Sequence, residues 1–452
     1  MLKNIYKIKN TIIGISMEIK KEDLTLLGVK DAAAALEKGV CSSQRLIESC
    51  LLKIKSKNEE INGFIHVETE QSARDALLSD TRRKNGTLLS PLDGVPLAVK
   101  DNIDVLGQPT TNGLGMHWMP SEDAAIVKFL RNKGMIFLGK TNMHEAALGA
   151  TTDNPHHGKC FNPLLEKHTP GGSSGGSGAV VSGYLCPAAL GTDTMGSVRV
   201  PAAYCGIIGF KPTKNFWSTE GVTPLSTTLD TIGPLARSVS DIALLLGLSL
   251  KTIDLKSCNI ASLENFDSAD MEDEIKLSYE GTKRLLLRSG VDIGQVRLSE
   301  YDPSSARRAG LLISEVEASV LLESLLLKSP ESFSPELKKM LDFGRRAPAF
   351  RYFNAVQKIQ TLKRKLCSIF QKEKFLITPT TPQTPFLFSK ETPINQADFT
   401  ALANFCGCPA ISIPLERSGD EKPVGLQIMA GPGYDIDLLS LALSIEKLIA
   451  NN

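Results

Sequence analysis

Gly171-Gly172-Ser173-Ser174-Gly175-Gly176-Ser177-Gly178, followed by Gly191-Thr192-Asp193-Thr194-Met195-Gly196-Ser197-Val198-Arg199, gathers hydroxyls and glycines into two short loops. A Gly/Ser octamer is most often a flexible linker. This one abuts an apolar, helix-like segment with no charged or proline-rich spacer, so a constrained loop is the better reading. Glycines let a backbone approach a reacting group closely. A phosphate-binding loop does not fit, because no lysine follows the glycines and Gly-x-Gly-x-x-Gly is absent. Neither loop holds a histidine. A serine hydroxyl needs a base to become a nucleophile, so if one of these serines is a nucleophile, its base is something other than the usual imidazole.

Working outward, apolar runs alternate with helix-like stretches. Val95–Val99 reads as a buried strand ending at Lys100-Asp101-Asn102, Met135–Leu138 as another, and Cys186–Leu190 as a third. Helical spacing runs through residues 31–57, Asp123–Lys133 with Gly134 as its stop, and Ala179–Tyr184. Residues 255–345 are rich in charge and leucine, with helical periodicity over Ala309–Leu327 and Pro335–Leu341. The chain then returns to strands at Phe375–Pro379, Pro409–Ile413 and Val424–Ile428, with a last helix over Asp435–Ala450. This pattern predicts one α/β domain over residues 1–452. It is an α/β/α sandwich with a large mixed, twisted sheet covered by helices and ligand-facing loops at one edge.

The six histidines offer no hydrolase triad, since none accompanies a Gly-x-Ser-x-Gly elbow. Asn142-Met143-His144-Glu145-Ala146-Ala147-Leu148 begins like a zinc-protease helix but has Leu148 where the second ligand belongs. His156-His157 reads as a loop pair, and no metal or cofactor is expected. Lys100 is the favoured candidate base, although a lysine at such a place is by itself more often a surface residue beginning a loop. A charged residue closing an apolar strand is odd unless it faces a site, and burial would lower its pKa toward a neutral, proton-accepting amine.

Pro91-Leu92-Asp93-Gly94-Val95-Pro96-Leu97-Ala98-Val99-Lys100-Asp101-Asn102, the glycine-serine octamer and residues 191–213 together resemble the amidase signature family. The likeness is densest from about residue 88 to 245. It implies a Ser–cis-Ser–Lys triad with Ser197 as nucleophile, Ser173 as bridging serine after a cis peptide, and Lys100 as terminal base. It also implies an oxyanion hole from the backbone N–H groups of Thr194, Met195, Gly196 and Ser197. Ser174, Asp193 and Arg199 would form a supporting polar network. Met195 departs from the family's usual glycine. Its side chain must fit beside the acyl site, and a positive φ there would be unfavourable.

The resemblance divides the expected domain into an N-terminal helical part (1–80), the signature core (81–245), a variable helical segment (246–345) laid over the site, and a C-terminal α/β part (346–452). Thr141–Glu145, Gly196–Ala203 and Pro423–Gln427 look most like amidases acting on small amides. The glutaminase subunit of the tRNA-dependent amidotransferase is the alternative, and a catalytically weak member that keeps the fold is a third reading. The expected partner is a small-molecule amide, with a homodimer as one assembly and partner subunits under the amidotransferase reading.

Bulk properties agree. Lys+Arg 51 against Asp+Glu 50 leaves a formal charge of +1, which gives no electrostatic case for nucleic acid or a membrane surface. Nine cysteines without paired spacing suit a reduced, cytoplasmic protein. The apolar stretch within Met1–Ile15 is short for a signal peptide, and Met17 is a candidate start.

Overall fold

The computed structural model describes residues 23–266, 269–415 and 422–451. The readings of Met1–Ile15 and of Met17 lie outside the described residues. Eleven strands form one sheet: β1 (Phe64–Val67), β2 (Pro96–Lys100), β3 (Ile136–Thr141), β4 (Ala188–Asp193), β5 (Ile208–Lys211), β6 (Thr231–Ala236), β7 (Ile260–Leu263), β8 (Ile293–Val296), β9 (Phe375–Pro379), β10 (Ala410–Pro414) and β11 (Gly425–Ala430). Their spatial order is β1-β3-β2-β4-β6-β5-β10-β11-β9-β7-β8. Strands β3, β2 and β4 run parallel, β4 to β9 pair antiparallel through the centre, and β9, β7 and β8 are again parallel. The sheet is therefore mixed, as the alternating pattern predicts.

Period-two side-chain alternation divides each central strand between two cores. Leu97 and Val99 of β2, Leu190 of β4, Ile411 of β10 and Ile428 of β11 enter one apolar cluster with the helices Val29–Glu37, Val239–Leu246 and Asp435–Ala450. On the opposite face Ala98 and Ala189 meet helices Ser43–Ile61, Gly175–Ser182 and Arg199–Cys205. Farther along that face, Leu376 and Met429 meet helices Pro303–Leu321 and Ala349–Phe370. Both faces are covered, so nearly every central strand position is buried.

Three local expectations change. The single helix over 31–57 is two, Val29–Glu37 and Ser43–Ile61. Gly39 takes φ +67° between them, and the Ser42 side chain caps the second by accepting from the Arg45 N–H. The region 255–345 is not purely helical, because β7 and β8 lie within it as a short parallel pair at the sheet edge. Their four-residue runs are too short for periodicity to separate from the surrounding helices. Strand β6, for which the sequence reading made no assignment, carries Pro234 opposite Leu190. Finally, the glycine-serine octamer is only half loop, since Gly175 already begins the helix Gly175–Ser182.

That glycine-rich first turn is a packing requirement. A Cβ on Gly176 would sit 2.4 Å from the Asn142 carbonyl oxygen and 2.5 Å from its nitrogen. Gly176 N–H in turn donates to Asn142 O at 3.0 Å. The helix therefore lies directly on the end of β3. Gly176→Val is expected to lower stability by about 1–3 kcal/mol through overpacking, read as a fall in the urea midpoint against the wild-type chain.

Candidate active site

Register places the site. Strands β2 and β4 are parallel neighbours with Val99 opposite Leu190, so their C-terminal ends, Lys100 and Thr192-Asp193, open at the same sheet edge. The loop before helix Gly175–Ser182 and the loop between β4 and helix Arg199–Cys205 meet there. Lys100 and Ser173 are fully buried, whereas Ser197 is only half-buried. Lys100 Nζ lies 2.7 Å from Ser173 Oγ and 2.8 Å from Thr192 Oγ1. The Gly172–Ser173 peptide is cis. Ser197 is tied to the serine loop through its carbonyl, which accepts from the Ser174 N–H at 3.2 Å.

Burial pushes the Lys100 amine down to about 7, against the opposing pull of Asp230 and Asp193. Near neutral pH a large share of Lys100 is thus uncharged, with one lone pair and two N–H groups. Asn102 Nδ2 donates to Thr192 Oγ1 at 3.2 Å. With Thr192 accepting a Lys100 N–H, the amine's lone pair is left for the Ser173 hydroxyl. Thr192 and Asn102 are therefore positioning residues that the motif reading quoted without assigning a task.

The loop carrying Ser197 is fastened by a buried ion pair. Arg199 Nη2 and Nε reach the two Asp193 carboxylate oxygens at 2.8 and 3.0 Å, with both side chains fully buried. Burial alone would raise the Asp193 carboxyl, but Arg199 and its hydrogen bonds hold it down at about 2. The remaining guanidinium N–H groups go to Thr400 O at 2.8 Å, Gln427 Oε1 at 2.7 Å and Asn404 Oδ1 at 2.6 Å. Asn404 Nδ2 returns to Asp193 O at 2.9 Å. Every donor of the buried cation is thereby used. Ser174, the third supporting residue from the sequence, donates its hydroxyl to Thr192 O at 3.2 Å.

Two expectations at this loop are corrected. The Gly196 N–H, counted toward the oxyanion hole, donates to Asp193 Oδ1 at 2.8 Å and is taken. The N–H groups of Thr194, Met195 and Ser197 have no acceptor among the described residues. Thr194 contributes its hydroxyl to Asp230 Oδ1 at 2.6 Å. The positive φ feared at Met195 falls on Gly196 instead, at +137°. Met195 keeps an ordinary φ, and its carbonyl is held by Thr400 Oγ1 at 2.5 Å. Its thioether lies over Gly310, where a Cβ would come within 2.7 Å of Sδ. A methionine is thus accommodated by a glycine on the overlying helix.

His144 belongs to the wall of the site. Its N–H donates to Ser173 O at 3.0 Å, and burial pushes its imidazole down to about 4. Glu145 bonds His156 Nε2 at 3.0 Å and the Ser334 N–H at 2.9 Å, anchoring the start of helix Pro335–Arg346. No group of three metal-ligating side chains occurs among the described residues. No helix of the described residues is long and apolar enough to cross a membrane.

The amidase family model matches residues 45–439. The chain belongs to the amidase family. Among curated relatives it is 32% identical to a glutamyl-tRNA(Gln) amidotransferase subunit of Salinispora tropica, over 94% of this chain and 98% of that protein. The corresponding subunit of Halothermothrix orenii is 33% identical over 94% and 97%. Among solved structures, an amidase aligns with a TM-score of 0.87 at 29% identity, covering 94% of this chain and all of that one. The corresponding subunit from Thermotoga maritima aligns at 0.79 and 26%, covering 94% and 96%. This member of the family is an enzyme acting on carbon–nitrogen bonds, with the large mixed sheet that its solved relatives share.

The Asp193–Arg199 pair yields a direct test. Asp193→Ala leaves a buried guanidinium uncompensated and should cost about 3–5 kcal/mol, measured as a lowered denaturation midpoint. Thr192→Val should instead leave the midpoint near wild type and lower kcat with little change in KM.

Proposed function

We propose that this amidase hydrolyses a primary carboxamide to acid and ammonia through an acyl-enzyme on Ser197. The observation that carries the reading is a buried lysine with its amine near 7, within hydrogen-bond reach of a buried serine beside the more accessible Ser197. In this mechanism Ser197 Oγ attacks the carbonyl carbon and its proton passes through Ser173 to neutral Lys100. The Thr194, Met195 and Ser197 N–H groups receive the oxyanion. As the C–N bond breaks, Ser173 returns a proton to the leaving nitrogen and ammonia departs. Water, deprotonated by the same chain, then releases the acid and restores the Ser197 hydroxyl.

For the source of the amide, the curated relatives support the amidotransferase context better than the small-amide reading. The two described above are glutamyl-tRNA(Gln) amidotransferase subunits that match nearly end to end. In that context glutamine supplies the ammonia, and partner subunits use it. The second reading, a free-standing amidase on small amides, is favoured by the solved amidase, whose TM-score of 0.87 exceeds the 0.79 of the Thermotoga maritima protein. For either context the proposed location is the cytoplasm. Ammonia release from glutamine only when partner subunits co-purify would support the first. Release from small amides by the isolated chain would support the second.

The chemistry itself predicts a kinetic pattern. Ser197→Ala should abolish turnover and keep the melting curve. Lys100→Ala should lower kcat by roughly 10²–10⁴-fold. Because the neutral amine is the active form and its pKa is about 7, kcat/KM should rise with pH through about 7 and level off above. A profile flat through that range, measured by ammonia release, would remove Lys100 as the base.

A further inference from the structure

Positive and negative charges nearly cancel over the whole chain, but not along it. Residues 338–372 hold ten lysines and arginines against one carboxylate, Asp342, a local charge of +9 in a chain whose total is +1. The stretch covers most of helices Pro335–Arg346 and Ala349–Phe370. Part of this charge is spent within the protein. Arg345 pairs with Glu323 at 2.6 Å, Arg346 with Asp342 at 2.9 Å and Lys365 with Glu300, while Lys358 meets Ser305 Oγ. Arg364 reaches only a hydroxyl, Thr361 Oγ1, at 3.1 Å. Lys338, Lys339, Arg351, Lys363 and Lys372 likewise have no carboxylate partner among the described residues.

Three phenylalanines stand among these cations. Phe343, Phe350 and Phe353 are 48%, 66% and 59% exposed, the most exposed of their kind among the described residues. One exposed phenylalanine needs no explanation, but three so close along the chain form a patch. The patch is anchored from inside, where the Tyr352 hydroxyl donates to Glu317 Oε1 at 2.9 Å and Leu341 and Ala355 are buried. A cleft of about 360 Å³ opens where the two helices meet, lined by Lys339, Phe343, Arg346 and Arg351. The Arg351 guanidinium stands 5.9 Å from the centre of the Phe343 ring. Asp342, the one carboxylate of the cleft, is taken by Arg346. Beyond Phe353 the outward line of the second helix turns polar, with Asn354, Gln357, Gln360 and Arg364 all exposed.

A partner for this face must be anionic and must offer flat apolar surfaces. A lipid surface asks for an unbroken apolar stripe along the helix, and here the stripe ends at Phe353. Nucleic acid meets both demands, since every base has a π-face and every linkage a negative phosphate. The bases must be unpaired, because a duplex keeps their faces inside the stack. The exposed amides of Asn354, Gln357 and Gln360 can bond base edges and 2′-hydroxyls, which favours RNA. We propose that the outer face of helices Pro335–Arg346 and Ala349–Phe370 binds single-stranded RNA. Bases stack on Phe343, Phe350 and Phe353, and phosphates meet Lys338, Lys339, Arg351, Lys363 and Arg364. The inference stands apart from the amide-hydrolysis reading, because no residue of this face belongs to the serine and lysine cluster.

The test is fluorescence anisotropy of labelled oligouridylate and oligoadenylate, each about 12 nucleotides long, titrated with the full chain. Salt is varied from about 50 to 200 mM. Wild type should bind, with an affinity that falls as salt rises. Phe350→Ala/Phe353→Ala, which leaves the charge intact, should weaken binding by about 10- to 100-fold through lost stacking. Lys338→Glu/Lys339→Glu should weaken it too and flatten its dependence on salt. The same reversal at Lys84 and Lys128, exposed on other helices, should leave both near wild type. Melting curves show which variants are folded. Absence of binding at low salt, equal binding of duplex RNA or of DNA of the same sequence, or unchanged affinity in the folded phenylalanine variant would overturn the proposal. Tighter binding of polyglutamate or of phosphatidylserine vesicles than of RNA would overturn it as well, since the face would then fit an acidic protein or a membrane.

Discussion

The ion pair between Asp193 and Arg199 is the constraint on which the site depends. It joins the last residue of β4 to the first turn of the following helix, and the intervening loop, carrying Met195, Gly196 and Ser197, has no other course. The Asp193 carboxylate also accepts the Gly196 and Val198 N–H groups at 2.8 and 3.1 Å. Arg199 extends the fastening to Asn404 and Gln427, so the C-terminal part of the chain meets the signature core beneath the Ser197 loop. Burying a full charge pair this deeply is tolerable because each donor and acceptor is used. The gain is a Ser197 loop held in one course by hydrogen bonds from both partners of the pair.

Lys100 is buried under the opposite rule. Its nearest polar groups are hydroxyls, and the carboxylates that bear on it, Asp230 and Asp193, act without a direct ion pair. Asp230 itself is raised by burial, though Thr194 and the Leu225 and Ser226 amides hold part of its charge. Burial therefore wins at Lys100 and loses at Asp193. One edge of one sheet thereby keeps a neutral base a short distance from a permanently charged clamp.

Much of this was legible in the sequence because it is local. The two glycine-serine loops, the lysine closing an apolar strand and the resemblance they carry are short patterns, and the alternation of strand and helix is enough for a mixed α/β sheet. What escaped is non-local or ambiguous. Asn404 and Gln427 contact Arg199 across more than two hundred positions, a pairing no periodicity reveals. Thr192 stood inside the quoted motif, but its task follows only from its height beside Lys100 in the register of β2 and β4. Strands β7 and β8 were lost among helices because four residues are too few to show a period. At Met195 the local rule pointed to strain, and the chain avoids it by assigning the unusual φ to Gly196 and the space to Gly310.

The central claim is that burial turns Lys100 into a neutral base at working pH. Titrating the side-chain carbon resonances of lysine in isotopically labelled protein, with Lys100→Arg to assign the signal, measures it directly. The account predicts a Lys100 transition at about 7. A transition near the ordinary lysine value of about 10.4 would contradict it, because the amine would then stay protonated and could accept nothing from Ser173.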